Sequence, residues 1–269
     1  MIPVKKEDVP MNKRKQRIND LMDLIREQPA LSIKNLAEML NVSEMTIRRD
    51  MAYLKSNNLL NRAHGMNFLN STSSISDAHH PYNLSTEFTK YNAEKDRIGR
   101  FASTLIDPGD IIIIDSGTTA GMLSNHIPEN MNLTILCYNY YTLSQLYNKN
   151  GVSIIFPGGY FHRTDQMFES SEGLNLIKNH RANKLFIGAS GIHEKLGMTC
   201  AHNYEVLTKR AVLNSSLIKI LLADSSKFGI VNTAYFAQLN EIDVVVTDKG
   251  ISKGWQNFIS NLGKKLYIV

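Results

Sequence analysis

The sequence predicts a small helical head followed by an α/β domain built on a mostly parallel sheet. Three observations predict this. Two short helical patterns flank a break at Asn41-Val42. From Asp110 onward, short apolar runs alternate with helical periods, as they do when strands and helices alternate around a parallel sheet. The positive charge is uneven: residues 1–69 hold twelve Lys/Arg against eight Asp/Glu, and residues 70–269 hold eighteen against seventeen. A basic head on a near-neutral body suits a nucleic-acid-binding module joined to something else.

The start MIPVKKEDVPMNKRKQR is polar and basic, and residues 1–12 of it are expected to be disordered. Residues 13–27 read as a helix with Ile18, Leu21, Met22 and Ile25 on one face and a basic start, ended by Pro29. Ser32 is placed to cap a second helix whose inward face is Ile33, Leu36, Ala37 and Leu40. Ser43 opens a third, with Glu44 and Met45 in its first turn. On it Met45, Ile47, Met51 and Leu54 are the apolar candidates, leaving Thr46, Arg48, Arg49 and Lys55 outside. A short helix pair whose second member is rich in Thr and Arg fits the DNA major groove. Leu59-Leu60 and Phe68-Leu69 form the arms of a small hairpin around His64-Gly65.

Composition excludes several classes. An apolar fraction of 43% with 20% charged residues is that of a globular chain. No run approaches the roughly 18 apolar residues of a membrane helix, and the polar start is no secretory signal, so a cytoplasmic protein without membrane contact is expected. Cys137 and Cys200 have no metal or disulfide spacing and are expected reduced and packed. His79-His80 has no ligand-spaced carboxylate or cysteine beside it, so neither a metal nor a cofactor is expected.

Residues 70–83 shift to Ser, Thr and Asp without period and read as a linker, which we extend to residue 90. Residues 91–106 form a helix with Ile98, Phe101, Ala102 and Leu105 on one face. Strands are expected at residues 110–115, 133–138, 152–156, 184–189, 217–223 and 244–247, with 266–269 at an edge. Helices are expected through Leu123 and at 141–147, 174–179 and 206–214. The run Ile111-Ile112-Ile113-Ile114 is apolar on both sides, as in a strand covered on both faces.

Ligands of open parallel sheets bind beyond the carboxyl ends of the strands, and the distinctive residues fall there. Asp115-Ser116-Gly117-Thr118-Thr119 follows the first strand and runs into a helix, offering backbone N–H groups and hydroxyls to an anion such as phosphate. Tyr138-Asn139 follows the second. Gly158-Gly159 follows the third, with His162 and Arg163 nearby. Gly188-Ala189-Ser190-Gly191-Ile192 ends the fourth, Glu205, Lys209 and Arg210 share a helical face, and Asp224 to Gly229, including Lys227, follows the fifth.

The run LAEMLNVSEMTIRRDMAYL followed by LLNRAHG closely resembles the winged helix-turn-helix of the DeoR family of bacterial sugar-metabolism repressors. That family typically carries VSxxTIRRDL and a hairpin ending RxHGG; Met66 stands here at the second glycine. The body continues the resemblance in order, through Asp115 to Thr119, Gly158-Gly159, Gly188 to Ile192, Glu205 with Lys209-Arg210, and Ala223 to Gly229. The resemblance implies a winged helix-turn-helix DNA-binding domain at 13–69. It also implies a ribose-5-phosphate-isomerase-like α/β effector domain at 91–269 that binds a phosphorylated sugar inducer. Ser43, Glu44, Met45, Thr46, Arg48 and Arg49 would then meet operator bases or phosphates, and Lys34, Arg62 and His64 the backbone or minor groove. Gly117, Thr118 and Thr119, beside Asp115 and Ser116, would hold the phosphate. Glu205, Lys209 and Lys227 would face the sugar, with Tyr138, Asn139, Gly158, Gly159 and Arg163 around it. The stretches CYNYYTLSQL, PGGYFHRTDQMF and ASGIHEKLGMTCAHNYE look most like deoxyribose-responsive members, implying deoxyribose 5-phosphate.

The expected function is therefore a non-enzymatic, homo-oligomeric repressor that a sugar phosphate releases from operator DNA. The alternative is a sugar-phosphate isomerase with a DNA-binding appendage, using Glu205 as general base. Against it, the isomerases that the resemblance brings in place acidic residues where Ser190-Gly191 stands here.

Overall fold

The computed structural model describes residues 17–18, 20–22, 24–25, 33–56, 60–63, 66–69 and 84–269. The chain divides into two compact units, residues 1–77 and 78–269.

In the first unit every described residue between 17 and 25 is helical. Helices α1 (Ile33–Met39) and α2 (Glu44–Ser56) and the antiparallel hairpin β1 (Leu60–Ala63) with β2 (Met66–Leu69) follow. Asn41 closes α1 in the left-handed region, φ 49°. The amides of Asn41 and Val42 donate to the carbonyls of Glu38 and Ala37, which satisfies the helix end and turns the chain. Ser43 Oγ accepts the Thr46 amide at 3.2 Å and so caps α2. Leu21, Ile25, Leu36, Ala37, Ile47 and Leu54 form the core.

Met45, an apolar candidate of this helix that the resemblance also places toward operator DNA, is 59% exposed. Ile47 and Leu54 fix the buried face of α2, and Met45 lies about 200° around the helix from Ile47 at ~100° per residue. Asp50 takes an inward place instead, accepting from Arg17 Nε at 2.7 Å. The start at 1–12, the Pro29 stop, the Ser32 cap, the His64-Gly65 turn and residues 70–83 lie outside the described residues.

The second unit opens with α3 (Leu84–Thr89), α4 (Asn92–Ser103), β3 (Ile111–Ile114), α5 (Thr118–Asn125), β4 (Leu133–Cys137) and α6 (Tyr140–Leu146). Next come β5 (Val152–Ile155), the hairpin β6 (Tyr160–His162) and β7 (Met167–Glu169), α7 (Ser171–Asn179), β8 (Ala182–Ile187), β9 (Gly191–His193) and β10 (Gly197–Cys200). It ends with α8 (Glu205–Asn214), β11 (Ser216–Leu222), β12 (Ala234–Ala237), β13 (Val244–Thr247), α9 (Lys253–Asn261) and β14 (Lys265–Ile268).

Seven strands form one sheet in the order β14-β13-β11-β8-β3-β4-β5, and every pairing in it is parallel. Both faces are covered. Ile112 and Ile114 of β3 pack into one apolar cluster with Phe186, Leu123 and Ile98, while Ile113 points into the other with Leu185, Leu221 and Val212. Side chains alternate, so from Ile112 to Ile114 both sides of the strand are buried, while Ile111 at its start is exposed. A smaller antiparallel sheet, β12-β10-β9, stands beside it.

The chain runs outward from β3 through β4 and β5 in one direction, and from β8 through β11, β13 and β14 in the other. The strand order thus reverses between β3 and β8, leaving a crevice at their carboxyl ends. Across one face α4 lies hard against α5. A Cβ on Gly99 would sit 2.8 Å from the carbonyl carbon of Met122, so only glycine permits this approach.

Residues 84–89, which the sequence suggested as the end of the linker, form α3. Leu84 is buried, its amide donates to the Thr164 carbonyl, and Phe88 meets Tyr141 with ring centroids 4.4 Å apart.

Candidate functional site

The crevice between β3 and β8 opens into a narrow cleft. One wall is Ser116, Gly117, Thr118 and Thr119, the turn from β3 into α5. Gly117 has φ 108°, a conformation that glycine alone adopts without strain, and nothing stands within 4 Å of where its Cβ would be. The turn therefore presents bare backbone at the N-terminus of α5, where the first amides lack helical partners.

The opposite wall is Glu205 and Lys209 of α8, with Gly188, Ala189 and Ser190 after β8. Asp115 lies beneath and is fully buried. Its Oδ2 accepts from the Gly188 amide at 2.9 Å and from Lys209 Nζ at 2.5 Å, and its Oδ1 accepts from the Tyr138 hydroxyl. Lys209 Nζ also donates to the Gly188 carbonyl at 3.1 Å and sits 5.1 Å from the centroid of the Phe236 ring. One carboxylate thus ties the ends of β3, β4 and β8 to α8. Burial works against the Lys209 ammonium, but the charges of Asp115 and Glu205 outweigh it and hold its pKa above the ordinary value. Glu205 accepts the His202 amide at 2.9 Å. Its burial raises its carboxyl to about 7, against the opposing pull of Lys209.

Asp165, in the turn between β6 and β7, and Glu87 and Lys227 complete the lining. Asp165 accepts from the Tyr204 hydroxyl at 2.9 Å and the Met167 amide at 3.2 Å. Asn139 supports it, donating to its carbonyl at 2.7 Å while capping α6. Lys227 pairs with Glu87 at 3.1 Å.

Of the body residues named from the sequence, Ser116, Gly117, Thr118, Thr119, Glu205, Lys209 and Lys227 line this cleft together. Asp115 and Tyr138 lie under it, and Asn139 acts through Asp165. Gly158, Gly159 and Arg163 are not in its lining. Gly159, with φ 121°, is needed where β6 begins, since a Cβ there would fall 2.3 Å from the Glu169 carbonyl oxygen. Glu87, Asp165 and Ser190 were not singled out as ligand residues, because the first two lie in stretches that read as linker and loop.

On the head, Lys34, Ser43, Glu44, Met45, Arg48 and Arg49 are exposed and Thr46 is half-buried. Arg48 makes only a loose pair with Glu44, 3.6 Å away on the same solvated face. Arg62 lies on β1, and His64 is outside the described residues. Cys137 and Cys200 are buried free thiols, and burial pushes both up to about 12. Among the described residues, no group of His, Cys, Asp and Glu is arranged to hold a metal, and no helix is long and apolar enough to cross a membrane.

Residues 17–73 match the DeoR-like helix-turn-helix domain, and residues 90–249 match the DeoR C terminal sensor domain. The chain belongs to the DeoR family. Its DeoR-family relatives include the deoxyribose operon repressor of Escherichia coli, 30% identical over 88% of this chain and 91% of that one. They also include the glycerol-3-phosphate regulon repressor of Escherichia coli, 32% identical over the same shares. The transcriptional repressor GlcR of Bacillus subtilis is 26% identical over 95% and 96%. Among solved structures, ribose 5-phosphate isomerase A of Methanocaldococcus jannaschii aligns over 52% of this chain and 55% of its own. The TM-score is 0.38 at 12% identity, too slight to bear weight. The DeoR-family match and the parallel sheet together establish the expected fold, a DNA-binding helix-turn-helix head followed by an α/β sensor domain. As a DeoR-family protein the chain is a transcriptional regulator.

Proposed function

We propose that this protein represses a sugar or deoxyribonucleoside catabolic operon and leaves its operator when a phosphorylated sugar fills the cleft. The observation that carries this is the cleft itself. It has an anion cradle at Gly117, Thr118 and Thr119 on one side and hydroxyl-binding carboxylates, Glu205 and Asp165, on the other. Phosphate oxygens take the orphan amides of α5, while carboxylates and Ser190 take the sugar hydroxyls.

Within that class we assign deoxyribose 5-phosphate. It is supported by the resemblance of residues 137–146, 157–168 and 189–205 and by the relative named for the deoxyribose operon. The head reads DNA through Thr46, Arg48 and Arg49 of α2. A homo-oligomer places two heads on repeated half-sites, and ligand binding favours a body state in which they no longer match the spacing.

The test is thermal unfolding with 1 mM deoxyribose 5-phosphate, ribose 5-phosphate, glucosamine 6-phosphate and glycerol 3-phosphate. A ligand at a hundred times its Kd adds roughly 2.7 kcal/mol, or about 5–10 °C here. A shift with deoxyribose 5-phosphate alone supports the assignment; a shift with another sugar phosphate keeps the class and discards the assignment; no shift discards the sensor reading.

Glu205 favours one second reading, since a buried carboxyl titrating near 7 is suited to general base work. An isomerase also needs a proton-transfer partner, and the loop after β8 offers Ala189, Ser190 and Gly191. Interconversion of any pentose phosphate by the pure protein would establish that reading.

A further inference from the structure

Helix α3 contributes Glu87 to the lining of the cleft, and several of its contacts are with elements that build the cleft or flank it. Its first amide, of Leu84, donates to the Thr164 carbonyl at 2.8 Å, next to Asp165. Phe88 packs on Tyr141 of α6 and would lie 3.5 Å from a Cβ on Gly121 of α5. The Glu87 carbonyl accepts from Lys95 Nζ, a fully buried amine of α4, at 2.5 Å. The Glu87 carboxylate holds Lys227, in the loop after β11, at 3.1 Å, and Lys90 at the same distance. Both members of the Glu87–Lys227 pair are largely buried, with side-chain exposures of 14% and 19%. The chain leads into α3 directly from residues 70–83, which separate the head sequence from the body sequence.

Both lysines of the cleft are paired before any ligand arrives. Lys209 is held by Asp115 and Lys227 by Glu87. Asp115 lies below the floor, whereas Glu87 is a carboxylate in the lining itself. A phosphate dianion entering the cleft is drawn to Lys227 and repelled by Glu87. The two anions compete for one ammonium.

We propose that Glu87 is a built-in competitor for the anionic end of the ligand, and that losing Lys227 to the ligand loosens α3. The proposal rests on the sugar-phosphate reading given above and adds to it the direction of the effect. An occupied cleft weakens the hold on the segment that enters from the head side, and an empty cleft keeps it fastened. Neutral sugars, which carry no charge to draw Lys227 from Glu87, leave α3 in place.

The experiment is calorimetric titration of full-length wild type, Glu87→Gln and Glu87→Asp with each of the four sugar phosphates named above and with unphosphorylated deoxyribose. Hydrogen exchange at residues 87–91 is followed in parallel. Glu87→Gln should bind the phosphorylated sugar about five- to tenfold more tightly, with no change for the neutral one. Glu87→Asp, which keeps the charge, should stay close to wild type. Exchange at 87–91 should rise when wild type is saturated, and should already be raised in unliganded Glu87→Gln and Lys227→Gln. Equal or weaker binding by Glu87→Gln while wild type binds overturns the competition alone, as does greater protection of α3 on saturation. Failure of wild type to bind any of the four sugar phosphates overturns the sensor reading, and the proposal with it.

Discussion

Lys209→Met isolates the most heavily invested contact in the body. The ammonium stands 2.5 Å from Asp115, with side-chain exposures of 3% and 0%. Its removal leaves a buried carboxylate with the Tyr138 hydroxyl and the Gly188 amide but no cation. Stripping one partner from such a pair costs about 3–5 kcal/mol, because the remaining charge has neither water nor a counter-ion. At about 2–4 °C per kcal/mol for a unit of this size, the melting point should fall by roughly 6–20 °C. The chain has a single tryptophan, Trp255 on α9, so urea unfolding followed by its fluorescence reports the body and not the head. Asp115→Asn combined with Lys209→Met removes both charges and should recover a large part of the loss, giving a coupling of about 1–3 kcal/mol in a double-mutant cycle. A Lys209→Met variant within 1 kcal/mol of wild type, or an additive double variant, would refute the claim that this pair clamps the strand ends.

Glu205 sets a pH dependence. Its folded pKa of about 7 lies above the 4.5 of the free group, so its contribution is fully present below pH 4.5 and is lost as pH rises through 7. The loss is on the order of 3 kcal/mol, and Glu205→Gln should flatten the change in urea midpoint between pH 5 and pH 8. Gly117→Ala should cost about 1–2 kcal/mol through its left-handed backbone and weaken sugar-phosphate binding about tenfold or more, read by urea unfolding and calorimetry. Arg48→Ala should weaken operator binding and reduce the slope of log K against log salt by ~0.9 in gel-shift titrations, with sugar-phosphate affinity unchanged.

The sequence was most legible where local pattern and burial agree. The isoleucine run of β3 announces a strand covered on both faces, which holds from Ile112 to Ile114, and the polar turn that follows marks the strand end where the cleft opens. Met45 was ambiguous because an apolar residue in the first turn of α2 looks inward until the phase of Ile47 and Leu54 is fixed. Helix α3 was hidden because Leu84 and Phe88 supply a single turn of apolar spacing, too little to nucleate a helix; its contacts with Thr164 and Tyr141 are what hold it. Asp165 was unreadable for a similar reason. In sequence it is one polar residue in a turn, and its place depends on Tyr204, thirty-nine residues further on. Helix α9 had a readable stripe in Trp255, Phe258, Ile259 and Leu262, obscured by Gly254.

The close approach at Gly99 has a mechanical consequence. With no side chain between them, α4 and α5 meet backbone to backbone and cannot slide independently. The amides of Gly117, Thr118 and Thr119 are carried at the head of α5, so any tilt of α4 reaches them without the slack that flexible side chains would introduce. Geometry at the anion cradle is thus set partly by a residue that never faces the ligand. A single methyl at position 99 would wedge the two helices apart and retune the cradle from outside the cleft.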